Sequence, residues 1–192
     1  MRREGLMFCA SAADFIGANE QPLLDASRGS TMSERKRGLK RHSAEEQKQY
    51  EREARLQYGP GTVNESIERW NSYNAEEQDA IIAEGNRIYV DLADAMEAGK
   101  DAGDRQVVDI LDRWQDHLRR FYEPSLDLLR GLGQMYNADP RFIANFKDIH
   151  SDLPAYLERV IDRYVDDLET AELEQMLAED EELEKRRQNL SR

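Results

Sequence analysis

The chain has 192 residues, 39% hydrophobic and 35% charged, which suits one globular domain with polar ends better than several cores. A formal net charge of −13 repels phosphate backbones, so direct nucleic-acid binding is not expected. The single cysteine, Cys9, cannot make an internal disulfide, no Cys/His cluster has metal-ligand spacing, and no run approaches the roughly twenty apolar residues of a membrane span. The expectation is a soluble cytoplasmic protein with no cofactor and no membrane contact.

Residues 1–42 lack sustained periodicity and read as a flexible leader, within which Met32 offers a second start. The apolar run from Leu6 to Ala13 is too short for a signal peptide and meets Asp14 at once. Arg35, Lys36, Arg37, Lys40 and Arg41 form a basic run that serves either as a solvated tail or as a docking patch.

Helix punctuation becomes dense at Ser43. Ser43 with Glu46 and Thr62 with Glu65 have capping-box spacing, and Asn74 with Glu77 is a looser variant. Two short helices are predicted first, Ser43 to Tyr58 and Thr62 to Trp70, parted by Gly59-Pro60-Gly61, which leaves room for a hinge. Their apolar faces are thin: Tyr50, Ala54 and Tyr58 on one, Val63, Ile67 and Trp70 on the other. Such helices are marginal alone.

Longer stripes follow. Ile81, Gly85, Ile88, Tyr89, Leu92 and Met96 mark a core helix from Asn74 to Ala98, and Val107, Ile110, Leu111, Trp114, Leu118 and Phe121 mark another from Asp104 to Tyr122. The period returns in Ser125 to Tyr136, in Asp139 to Ile149 and in Ser151 to Leu168. Between them lies "GLGQMYNADPRF", where Gly131 and Gly133 imply close approach of a helix or a ligand. There Asn137 suits a left-handed exit, and Asp139-Pro140 suits an N-cap followed by a first helical position. Residues 169–192 form a charged tail, acidic through Glu184 and then basic at Lys185, Arg186 and Arg187. Met176, Leu183 and Leu190 stand seven apart there, in too few heptads for a coiled coil, so the tail reads as a solvated helical extension or a dimerisation seam. No window alternates with period two, and the fold class is all-α with about six to seven helices.

Catalytic machinery is not visible. His42, His117 and His150 lack a metal-binding partner at helical spacing, and there is no phosphate loop and no nucleophile elbow. His117 shares its helix side with Trp114 and Phe121, and fits either a core histidine or a ligand contact. Trp70, Tyr73, Tyr89, Trp114, Phe121, Tyr122, Met135, Tyr136 and Phe142 form an excess of aromatic and polarizable side chains on or near the core faces; such residues are ordinarily core, and they also line apolar drug-sized pockets, a choice periodicity does not decide.

The segments "RWQDHLRRFYE", "RGLGQMYNADPRFIANF" and "LPAYLERVI", in that order and spacing, resemble the TipAS antibiotic-recognition domain of MerR-family transcription activators, over about Gln49 to Tyr164. The resemblance implies a globin-like fold that binds bulky thiopeptide and related antibiotics in a cleft, with the helices before the core closing on binding. On it, residues 43–168 form the ligand-binding domain, with 43–73 as lid and 74–168 as core. No DNA-binding part precedes residue 43. A thiopeptide binder of the family has a reactive cysteine just after the Phe-Tyr-acid run, and Pro124 stands there in this chain, so any binding is expected to be reversible. The same loop carries Leu126 and Leu129 in place of a Pro and a His, which makes its rim more apolar. The expected pocket lining is Tyr89, Trp114, His117, Phe121, Tyr122, Met135 and Tyr136, with Trp70 and Tyr73 as closing aromatics. The rival expectation is a regulatory module that keeps the fold, lacks the pocket and docks a protein partner through its tail.

Overall fold

A computed structural model describes residues 44–190 of the chain, all of it helix and connecting turn. The helices are α1 (Ala44–Ser72), α2 (Ala75–Glu97), α3 (Arg105–Arg119), α4 (Leu126–Ala138), α5 (Pro140–Lys147) and α6 (Leu153–Leu190). The leader at 1–42 and the Ser43 cap lie outside the described residues, as do the side chains of Tyr50, Ala54 and Tyr58.

The core is built from the inward stripes of α2 to α6. Ile88, Leu92, Leu111, Leu118, Leu129, Leu132, Leu153 and Leu157 are fully buried in one contiguous cluster with Trp114, Phe121, Tyr136 and Phe146. The most extensive helix pair is α4 on α6, followed by α2 on α3. Close approach in the first pair depends on Gly133: a Cβ there would stand 3.0 Å from Ile161 Cγ2 and 3.1 Å from Ile161 Cβ. The lost helix propensity is offset by packing that no larger residue permits. At the rim of the pair, Arg130 bridges Asp162, Asp166 and Glu169 on α6.

Several ends form as their residues dictate. Asn74 caps α2 with the full reciprocal box: the Asn74 N–H donates to Glu77 Oε2 at 2.8 Å, and the Glu77 N–H to Asn74 Oδ1 at 3.0 Å. Ser125 caps α4, and Asp139 caps α5 with Pro140 at the start. Gly99, at φ 72°, turns the chain out of α2.

Three local expectations are corrected. The break at Gly59-Pro60-Gly61 and the Thr62 cap do not form, because α1 runs unbroken through Pro60. A helical proline removes one ladder hydrogen bond at a cost of about 3 kcal/mol but does not end the ladder. Here Arg55 Nη1 donates to Asn64 Oδ1 at 2.8 Å across the segment, and the turns after Pro60 are anchored by buried Val63, Ser66 and Trp70. Asn137 does not take the left-handed exit, since no non-glycine residue described has positive φ. It stays in α4 and donates from Nδ2 to Glu158 Oε2 at 2.6 Å, so α6 supplies the partner that a left-handed turn would have supplied. The last core helix also does not stop at Leu168. After Pro154 the α6 sequence holds neither Gly nor Pro, and i,i+4 pairs such as Glu182–Arg186 at 3.1 Å support it to Leu190.

Candidate functional site

Eight of the nine expected lining residues are buried and Tyr73 is half-buried, and the fold sorts them into two aromatic groups. The first lies where α1 meets the end of α3. Trp70 of α1 stacks on Phe121 with ring centroids 5.7 Å apart and planes 21° from parallel, Tyr73 meets Trp70 edge-on at 6.4 Å, and His117 meets Phe121 edge-on at 5.6 Å. Two polar contacts pin the same corner. Tyr73 Oη donates to the Arg120 carbonyl, and Arg69 Nη1 to the Arg119 carbonyl, both at 3.3 Å. These carbonyls end a helix and lack ladder partners, which is why α1 can use them. α1 is thus held through side chains reaching over the C-terminal end of α3.

The second group lies deeper. The Tyr89 and Tyr136 hydroxyls are 3.0 Å apart in a buried hydrogen bond, both rings meet Phe146 with centroids at 4.9 Å, and Phe142 tilts against Tyr136 at 5.9 Å. Edge-to-face rings of this kind add about 0.5–1.5 kcal/mol each beyond burial. Met135 and Tyr122 are buried between elements of the same core.

His117 links the first group to α2. Its Nε2 lies only 2.9 Å from where a Cβ on Gly85 would be, so Gly85 is the recess that admits the imidazole. Burial pushes His117 down from 6.5 to about 4, against the opposite pull of the Glu84 carboxylate, so the ring is neutral at pH 7. Glu84 Oε2 stands 3.7 Å from His117 Nδ1, beyond hydrogen-bond reach, and pairs instead with Arg120 at 3.1 Å. Three buried side-chain atoms among the described residues have no hydrogen-bond partner: Ser66 Oγ, Trp114 Nε1 and His117 Nδ1.

Ser66, Gly85 and Glu84 were not among the expected residues. Ser66 occupies the Val63–Ile67–Trp70 stripe at helical spacing, which was the available signal; Gly85 stood in a core stripe without a stated partner. A separate surface groove of about 410 Å³, lined by Met96, Glu97, His150, Asp152, Ala155, Tyr156 and Arg159, contains none of the expected residues.

The fold is a small all-α domain with an aromatic junction under an outlying helix, an arrangement found in ligand-recognition modules. The comparisons give that class its family. The chain belongs to the TipAS antibiotic-recognition domain family, whose profile matches residues 50–164. It is 32% identical over 157 residues to the HTH-type transcriptional activator mta of Bacillus subtilis (strain 168), covering 80% of this chain and 60% of the activator, so the chain spans about three fifths of that relative's length. Among solved structures it resembles TipAS in complex with nosiheptide, from a thiopeptide antibiotic multidrug resistance system of Streptomyces lividans. That match has 27% identity and a TM-score of 0.54, over 62% of this chain and 84% of that one. The architecture is therefore the helical, globin-like one of that family, and no helix among the described residues is long and apolar enough to cross a membrane.

Proposed function

We propose that the chain is a non-enzymatic module that reversibly binds bulky, ring-rich peptidic antibiotics and serves to sense or sequester them, with transcription altered through a partner. The observation that carries this reading is the junction itself: Trp70 stacks on Phe121 at the end of α3, with Tyr73 edge-on to Trp70 and His117 edge-on to Phe121, aromatic side chains that can exchange their mutual contacts for those of a flat multi-ring ligand. On this reading residues 43–73 are the lid over a core at 74–168, and Tyr89, Trp114, Tyr122, Met135 and Tyr136 form the floor and walls behind the seam. Membership of an antibiotic-recognition family supports the ligand class. Pro124, buried beside the seam, offers no nucleophile for covalent capture.

The test is thermal unfolding of the whole chain across a panel of thiopeptides, nosiheptide included, and other hydrophobic antibiotics. A ligand at a hundred times its Kd adds about 2.7 kcal/mol of stability. Unchanged melting and unchanged tryptophan fluorescence over the whole panel would end the proposal.

A second reading has its own observation. Leu173, Met176, Leu177 and Leu183 are all more than half exposed on the part of α6 that leaves the core. That stripe suits a protein partner, and a pull-down that needs residues 169–192 but tolerates Trp114→Ala favours it over drug binding.

A further inference from the structure

Past the core, α6 carries a second apolar stripe. Leu173, Met176, Leu177 and Leu183 are 61%, 63%, 65% and 56% exposed. At about 3.6 residues per turn, this stripe is turned by about 120° from the face on which Val160, Ile161, Tyr164 and Val165 enter the core. The body of the domain holds α6 by a different face and does not cover it. Nor does the helix need these side chains in order to form, since exposed i,i+4 pairs such as Glu181–Lys185 and Glu182–Arg186 support it.

Spacing selects the shape of an occupant. Leu173, Met176, Asp180, Leu183 and Arg187 follow one another at alternating steps of three and four, the interval at which one helix meets another along a line. Charge then selects its identity and direction. Residues 169–184 hold eight acidic and no basic side chains, and Lys185, Arg186 and Arg187 follow at once. Two parallel copies would lay acid on acid and base on base along their whole length. Turned antiparallel, with position 180 of each opposite 183 of the other, the basic end of each tail lies beside Met176 to Glu179 of its mate. There the Arg187 stem covers Met176, and Arg186 of one copy reaches Glu179 of the other, twice by symmetry. Both groups are exposed and paired only along their own helix, Arg186 with Glu182 and Glu179 with Gln175, so both can exchange partners. The basic run at 35–41 matches the charge but offers one large apolar residue, Leu39, for a stripe of four.

We propose that the tail of α6 is a docking surface for a second copy of this chain, the two tails pairing antiparallel through Leu173, Met176, Leu177 and Leu183 with a Glu179–Arg186 pair on each side. Helices about 10 Å wide lying together over about 33 Å hide on the order of 1,000 Å² in total, the low end for a specific interface. Since the acidic stretch 179–184 still faces its own copy, the association is weak, and in dilute solution each tail is solvated. The pairing names the partner that the tail-docking reading leaves open. It uses no residue of the aromatic junction, so it stands or falls apart from antibiotic binding.

Sedimentation equilibrium of the whole chain, from about 1 μM to about 1 mM at low salt, tests this. The expected result is a reversible monomer–dimer equilibrium with a Kd of about 10–100 μM. Met176→Ala combined with Leu183→Ala keeps helix propensity and should weaken it by about tenfold or more. Glu179→Arg and Arg186→Glu should each weaken it about tenfold alone, because each sets like charges together twice. An equimolar mixture of the two should dimerise as well as the parent, because unlike charges then meet at both places. In a parallel pair Glu179→Arg would instead face Glu184 and tighten the dimer. A chain that stays monomeric up to about 1 mM, as it would with the leader or only a foreign protein on the stripe, overturns the proposal. So does a double alanine variant that dimerises unimpaired, tightening by Glu179→Arg, or a mixture no stronger than its components. Circular dichroism checks that each variant keeps the helix content of the parent; should the double alanine variant lose it, the mixing experiment decides.

Discussion

The α4–α6 pair and the junction of α1 with the end of α3 both bury side chains, yet they are built on opposite principles. In the first, a missing side chain at Gly133 lets two helices meet almost backbone to side chain under Ile161, and the neighbouring polar groups are paired. In the second, the end of α1 meets the end of α3 through one ring stack and a few long side chains that reach free helix-end carbonyls. A core needs the first arrangement because unfilled space and unpaired groups cost stability. The second arrangement, resting on few contacts, is the easier of the two to part.

The largest expected effect breaks the tight side of this contrast. Gly133→Val forces carbon into the space held by Ile161 and should lower stability by about 3 kcal/mol, read from urea unfolding of the whole domain. Trp70→Ala should act locally instead. Amide protection in the last turns of α1 should fall by about 2 kcal/mol, while protection in α4 and the first turns of α6 is retained; equal loss in all three would show that the seam is part of the core. A pH series sharpens the comparison from the electrostatic side. His117 is held near 4 when folded and titrates near 6.5 when unfolded, so below about 6.5 the unfolded chain binds a proton that the folded chain refuses. Stability from this group is complete above that pH and declines toward about 4 by up to about 1.4 kcal/mol per pH unit, a slope that His117→Gln should flatten. The smallest effect belongs to the tail: Leu177→Ser should change stability by less than about 0.5 kcal/mol, because the side chain is solvated already.

Much of this was legible in the sequence, for reasons that differ from element to element. The stripes of α2, α3 and α4, with Asn74, Ser125 and Asp139-Pro140 as punctuation, specify helices whose bounds fall within a few residues of expectation, because periodicity and caps are local signals. Gly59-Pro60-Gly61 misled because it is local too: its cost is real, but tertiary anchoring at Val63 and Trp70 is not visible in three residues. For the site, residue types could nominate aromatics and a histidine, and a family resemblance could rank them. Their division into a seam and a deeper cluster depends on which helix crosses which. Ser66 gained meaning only when its hydroxyl proved buried and unpaired.

One feature of the fold couples the inside of the domain to its outside. α6 is a single helix of 38 residues whose first turns pack against α4 and whose last twenty or so stand in solvent. A helix rises about 1.5 Å per residue, so the stretch beyond Leu168 is a lever about 33 Å long. A tilt of about 10° would sweep its tip through about 6 Å. By lever geometry alone, a change of angle of α6 at its packed end would be read, enlarged, in the position of Leu183 and the basic residues beyond it.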